Sequence, residues 1–163
     1  MAKSLAKSRR QKVLVAPAAE TLQLGPLAGF IGFHLRLAQE ASFQAFARRV
    51  RSSEMRPGRF ALLALIGQNP GISQTALGRA AGRDKSTLTP ALNDLVHRTL
   101  VKRQRVASDR RSYALSLTPK GEKLIGALFE HAHEHDRELD AIVGLKHKAE
   151  FIRTLRRLAM ALV

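Results

Sequence analysis

Four short hydrogen-bonding side chains, Ser86, Thr87, Thr89 and Asn93, stand close together in the chain, with the cations Arg83 and Lys85 just before them. On one helix, such groups suit the edges of base pairs and the oxygens of phosphates. Hydroxyls and amides both donate and accept, and cations at a helix entry meet phosphate where the helix dipole already favours it. The same hydroxyls can instead serve only the first turn of their own helix. A second basic group follows: Lys102, Arg103 and Arg105, then Arg110 and Arg111 after Asp109. Between Arg79 and Lys120 there are ten Lys and Arg against only Asp84, Asp94 and Asp109. The chemistry implied is noncovalent recognition of duplex nucleic acid.

The surrounding pattern supplies elements to carry these groups. Ser73 is placed to cap a short helix carrying Leu77, which Gly82 ends. Asp84 is placed to cap a second helix from Lys85 to about Thr99, in which Pro90 removes one backbone donor and is expected to kink or loosen the first turns. Val101–Val106 and Tyr113–Leu117 alternate as strands, with residues 107–112 as a hairpin tip. Thr118 caps the next helix with Pro119 at its first position; it runs to about Val143, where Gly144 breaks it. A last helix spans Leu145–Leu162. Upstream, apolar residues recur at helical spacing from Leu27 to about Val50. Arg51–Gly58 reads as a connection, Arg59–Gln68 as a short core helix, and Asn69-Pro70-Gly71 as a turn. A helix-turn-helix followed by a basic hairpin can read DNA in two grooves at once. The fold class is mainly α with a small β-hairpin wing.

Residues 1–22 read as a basic flexible tail, 57–118 as a winged helix-turn-helix lobe, and 23–56 with 119–163 as a helical region. The long helices offer more apolar face than one such lobe needs; they either close onto their own core or interlock with a second copy. The 163 residues suffice for one domain with a real core. The 28 Lys and Arg against 13 Asp and Glu give a net charge of +15, a field that attracts polyanions. With no cysteine, disulfides and thiolate metal sites are excluded, which fits a cytoplasmic protein. No run is apolar enough to span a membrane, and the N-terminal Val13–Ala16 stretch is too weak for a secretory signal. There is no nucleophile–base constellation and no phosphate-binding glycine loop, so an enzyme is not expected and no cofactor is implied.

From about Leu27 onward the chain resembles the MarR family of winged-helix transcriptional regulators. The most specific likeness is Asp109-Arg110-Arg111-Ser112-Tyr113-Ala114-Leu115-Ser116-Leu117-Thr118-Pro119-Lys120-Gly121, which meets the family's Asp-x-Arg turn and its following Leu-Thr-x-x-Gly. Ser86-Thr87-Leu88-Thr89 at the start of the recognition helix is the second. Pro90 departs from the usual pattern. The resemblance implies a homodimer on a pseudo-palindromic operator, Arg111 in the minor groove and Asp109 orienting an arginine. It also implies a small-molecule effector, often an aromatic acid, bound between the dimer helices and the DNA-binding lobe, most often releasing a repressor. Phe30, Phe33, His34, Phe43, Phe46 and Phe60 form an aromatic group that is either core or pocket lining. Arg36, Arg48, Arg49 and Arg51 could hold the phosphates of a larger ligand, and Gly32–Gln39 is similar to regulators of aromatic-acid degradation that sense coenzyme A (CoA) thioesters. His131 and His135 share a helix face at a spacing able to hold zinc, but no third ligand stands near. The competing readings are a constitutive or architectural DNA-binding protein and a metal-responsive regulator.

Overall fold

The computed structural model describes residues 22–50, 55–106 and 109–162, with the backbone alone for Val106 and residues 109–112. The N-terminal tail, Arg51 and the hairpin tip at 107–108 lie outside the described residues. The chain divides into two compact units between Leu37 and Ala38.

The first unit opens with a 3-10 turn at Gly25–Gly29, with Pro26 in its first positions. Phe30 is extended (ψ 115°), and only then does α1 (Ile31–Arg49) begin. The apolar spacing from Leu27 therefore overshoots the helix start: Gly25, at φ +54°, and Gly29 favour a tight turn over α-helix.

In the second unit, α2 runs Pro57–Gln68, two residues earlier than the sequence suggests. Pro57 is not the end of a connection but the first helical residue, where its missing N–H costs nothing. A two-residue strand, β1 (Ile72–Ser73), leads into α3 (Gln74–Ala80), where the Ser73 hydroxyl accepts from the Ala76 N–H at 3.2 Å. Gly82, at φ +59°, turns the chain into α4 (Lys85–His97). Helix α4 runs unbroken through Pro90. The donor that Pro90 lacks would have served the carbonyl of Ser86, a residue on the exposed face of the helix. The helix stops two residues short of Thr99, which sits left-handed at φ +56°.

Strands β2 (Val101–Val106) and β3 (Asp109–Leu117) pair antiparallel, with Arg103 opposite Leu115 and an irregularity at Arg105/Val106. β3 starts at Asp109, four residues before the alternation becomes apolar, because Val106 pairs with Asp109. β1 adds on the other side of β3 through Ile72 and Leu115, giving the order β1-β3-β2. Thr118 caps α5 (Pro119–Val143), its hydroxyl accepting from the Gly121 N–H at 3.1 Å, and Gly144 separates α5 from α6 (Leu145–Ala161). The buried core draws on α2 (Leu62, Leu63, Ile66), α3 (Leu77), α4 (Leu88, Leu92, Leu95), the sheet (Val101, Leu115) and α5 (Ile125, Leu128). By contrast, α6 buries no residue at all.

Candidate nucleic-acid interface and adjoining cavity

Helix α4 turns Leu88, Leu92 and Leu95 into the core, which fixes the opposite face outward. Lys85, Ser86, Thr87 and Asn93 are exposed there; Thr89 and Arg83 are half-buried. The Asp84 carboxylate caps the helix, accepting from the Thr87 N–H at 2.9 Å and the Ser86 hydroxyl at 2.6 Å. The Thr87 hydroxyl donates to the Asp84 carbonyl at 3.2 Å, and Thr89 accepts from the Gln74 amide at 3.1 Å. The candidate contact groups are thus pre-oriented by their own first turn; Ser86 and Thr87 must give up a local bond to donate to DNA, while their oxygens remain able to accept. The hydrogen bond from Ser86, then that from Thr87, holds the Asp84 carboxyl below its ordinary value. Its capping contribution is therefore present above the ordinary carboxylate range and is lost as pH falls through the lowered folded value. Asp84→Ala is expected to speed hydrogen exchange at the Thr87 amide, with Asp84→Asn restoring much of the protection; equal exchange in all three proteins would refute the cap.

On the wing, Arg105 is exposed. Arg103 shares the inward face with Val101, and its Nε and Nη2 are buried without a hydrogen-bond partner among the described residues. The backbone of residues 109–112 continues the hairpin, while the side chains of Asp109, Arg110 and Arg111 lie outside the described residues.

Of the aromatic residues singled out in the sequence, Phe43, Phe46 and Phe60 line one cavity of about 390 Å³. It also takes in Ser42, Pro57, Phe129, Ala132, His133, His135 and Asp136, so its walls come from α1, α2 and α5. Phe60 meets Phe46 at 5.1 Å and Phe129 edge-on at 5.7 Å between ring centres. Four polar residues interrupt this wall: Ser42, His133, His135 and Asp136. Ser42 and His135 Nε2 share a 2.9 Å hydrogen bond, and His135 Nδ1 is buried with no partner among the described residues. Phe129, His133 and His135 were not singled out as pocket residues from sequence. Their membership depends on the register of α5 against α1 and α2, which helical spacing alone does not give. The outer end of α1 is tied to α5 as Arg49 pairs with Glu138 and, at 3.3 Å, with Glu134.

Phe30, Phe33, His34 and Arg36 sit in the first unit and do not line this cavity. His34 is exposed, donates from Nε2 to the Ala28 carbonyl at 2.8 Å and meets Phe33 edge-on; Arg36 lies 5.9 Å from the Phe33 ring centre. His131 faces Glu134 at 3.9 Å, and among the described residues no three metal-ligating side chains converge.

The MarR family model matches residues 55–113. Over 135 residues the chain is 35% identical to a transcriptional regulatory protein for the hcr operon of Thauera aromatica, covering 82% of this chain and 81% of that one. This chain belongs to the MarR family. Its fold is that of the transcriptional repressor CouR solved on a 23-mer DNA duplex, with TM-score 0.76, 30% identity, and coverage of 85% of this chain and 98% of the other. CouR bound to p-coumaroyl-CoA superposes equally well, at 28% identity over 85% and 97% of the two chains. The PcaV regulator of Streptomyces coelicolor with its natural ligand gives TM-score 0.80 at 26% identity, over 87% and 100%. Regulators of this family bind DNA and act as dimers, and they are not enzymes. No helix among the described residues is long and apolar enough to cross a membrane.

Proposed function

We propose that this protein is a ligand-responsive, homodimeric repressor that binds a pseudo-palindromic operator and is released by an aromatic acid or its CoA thioester. The observation that carries this reading is the aromatic-walled cavity, with the hydrogen-bonded Ser42–His135 pair, His133 and Asp136 as its polar lining. Its volume is that of a small-molecule site, and an apolar wall with few convergent polar groups suits a ring bearing one oxygen function. CouR and PcaV, as solved with p-coumaroyl-CoA and with a natural ligand, support the ligand class. Dimerisation is supported by the apolar residues that one copy leaves exposed on and beside α6, among them Ile142, Leu145, Phe151 and Met160. In this reading Arg83, Lys85, Ser86, Thr87, Thr89 and Asn93 serve the major groove, and Arg103, Arg105, Arg110 and Arg111 the wing contacts.

The test is a gel shift on the DNA upstream of the protein's own gene, repeated with aromatic acids and their CoA thioesters. The expected result is sequence-specific binding that one compound class releases. Specific binding that no member of either class releases would instead favour a constitutive regulator.

A further inference from the structure

Ser86 and Asn93 are two turns apart on α4, so they stand in line on the face opposite Leu88, Leu92 and Leu95. Ser86 is exposed, but its proton is already committed: the hydroxyl donates to the Asp84 carboxylate at 2.6 Å. Asp84 is ionised at neutral pH, since the bonds from Ser86 and then Thr87 hold its carboxyl below the ordinary value. An ionised carboxylate only accepts, so the direction of the Ser86 bond is fixed by chemistry. A hydroxyl on a charged acceptor at such a distance is held about twice as strongly as one in a neutral pair. The same carboxylate oxygen takes the Thr87 N–H at 2.9 Å, so the place for an anion at the head of α4 is already filled. What Ser86 Oγ offers outward is its lone pairs. Phosphate oxygens also only accept, so in this state Ser86 has no proton to give one. In the major groove the partners open to it are the donors, adenine N6 and cytosine N4.

We propose that Asp84 is a positioning residue for sequence reading: it fixes Ser86 as a hydrogen-bond acceptor, which selects an amino base, adenine or cytosine, and rejects the keto bases guanine and thymine at the same place. This rests on the major-groove placement of α4 above and deepens it. Every base pair shows one amino group in the major groove, on the A of an A·T pair and on the C of a G·C pair. An acceptor set in this way distinguishes A·T from T·A and C·G from G·C, yet tolerates exchange of A for C on one strand. Guanine O6 or thymine O4 would face Oγ with no proton between them, and Ser86 would have to leave the carboxylate to supply one.

Selection from a randomised duplex library by the full chain, followed by competition gel shifts, tests this. Ser86→Ala identifies the base position that Ser86 reads, as the one whose preference it relaxes. There the parent is expected to favour A or C over G or T on one strand by roughly two- to tenfold, the effect of one hydrogen bond. Asp84→Ser removes the carboxylate but keeps a hydroxyl able to cap α4, which slow exchange at the Thr87 amide would verify. In this variant the amino-over-keto ratio should fall toward unity at that position alone. Loss of one negative charge shifts affinity for all duplexes alike and cancels in the ratio. Purine in place of adenine at that position lacks only the N6 amino group and should weaken the parent complex by a similar factor. A preference for G or T, an undiminished ratio in Asp84→Ser, or no loss with purine would each overturn the proposal and leave the major-groove reading standing. If Ser86→Ala relaxes no position, Ser86 meets no base and the proposal fails with that one contact. If the parent enriches no sequence at all, the operator reading falls with it.

Discussion

Gly121→Ala is expected to cost about 2–3 kcal/mol of stability, as overpacking against an immovable neighbour does. Gly121 is buried in the first turn of α5, and a Cβ there would overlap the carbonyl oxygen of Leu100. That neighbour is backbone and cannot rotate aside. It also accepts the Thr118 N–H at 3.0 Å, so displacing it loosens a hydrogen bond as well as a contact. A thermal midpoint lowered by roughly 5–10 °C is expected for a chain of this size. Because the clash falls between the end of the recognition helix and the start of α5, operator affinity should fall with it even at temperatures where the variant is folded. A midpoint within a degree or two of the parent would show that the Leu100 turn yields, and the packing argument would fail.

The largest expected effect on DNA binding is that of Arg111→Ala. The hairpin arms are paired from Val101–Leu117 to Arg105–Tyr113, and Arg111 lies just beyond, in the irregular stretch before Val106 meets Asp109. In the proposed reading this arginine enters the minor groove, where narrow A·T tracts concentrate negative potential. Loss of such a contact costs about 1–3 kcal/mol, roughly a 5- to 150-fold weaker operator complex. Sedimentation should show an unchanged dimer, since the substitution is remote from α6. The loss should be larger on the operator than on random duplex. Equal losses on both would make Arg111 a phosphate contact, and no loss would remove the wing from the interface.

What could be read from the residues alone divides along a physical line. Ser73, Asp84 and Thr118 are found as caps where they were expected, because a cap is a bond between a side chain and an amide two or three residues away. The limits of α5 at Pro119 and Val143 follow from equally local signals. β1 could not be read: two residues become a strand only because Ile72 finds Leu115 more than forty positions later. Pro57 was misjudged for a related reason. Proline punctuates both ends of helices, and only the packing of Leu62, Leu63 and Ile66 shows on which side the helix lies. At the site, exposed polar residues on α4 were legible from its periodicity. The cavity is half legible: Phe43, Phe46 and Phe60 stand out in the sequence, but Phe129, His133 and His135 join them through a helix–helix register that no short window contains. Conversely, His34 belongs to the same aromatic group in the sequence, yet it is exposed and donates to the carbonyl of Ala28.

The turn at Thr99 and Leu100 has a mechanical meaning. The Thr118 hydroxyl donates to the Thr99 carbonyl at 2.6 Å, Lys120 reaches the Arg98 carbonyl at 3.1 Å, and Leu100 takes the Thr118 amide. Three bonds thus rivet the tail of α4 to the head of α5, around a residue already held left-handed. Helix α5 has 25 residues, so it is a rod of about 37 Å at 1.5 Å per residue. A tilt of roughly 5° imposed at its far end, where Lys148 grips Asp136 and Asp140, corresponds to a travel of about 3 Å over that length. The rivet leaves no slack to absorb such a movement. The recognition helix must turn with the rod, which makes α5 the lever through which any change in the pairing of two copies is delivered to the groove.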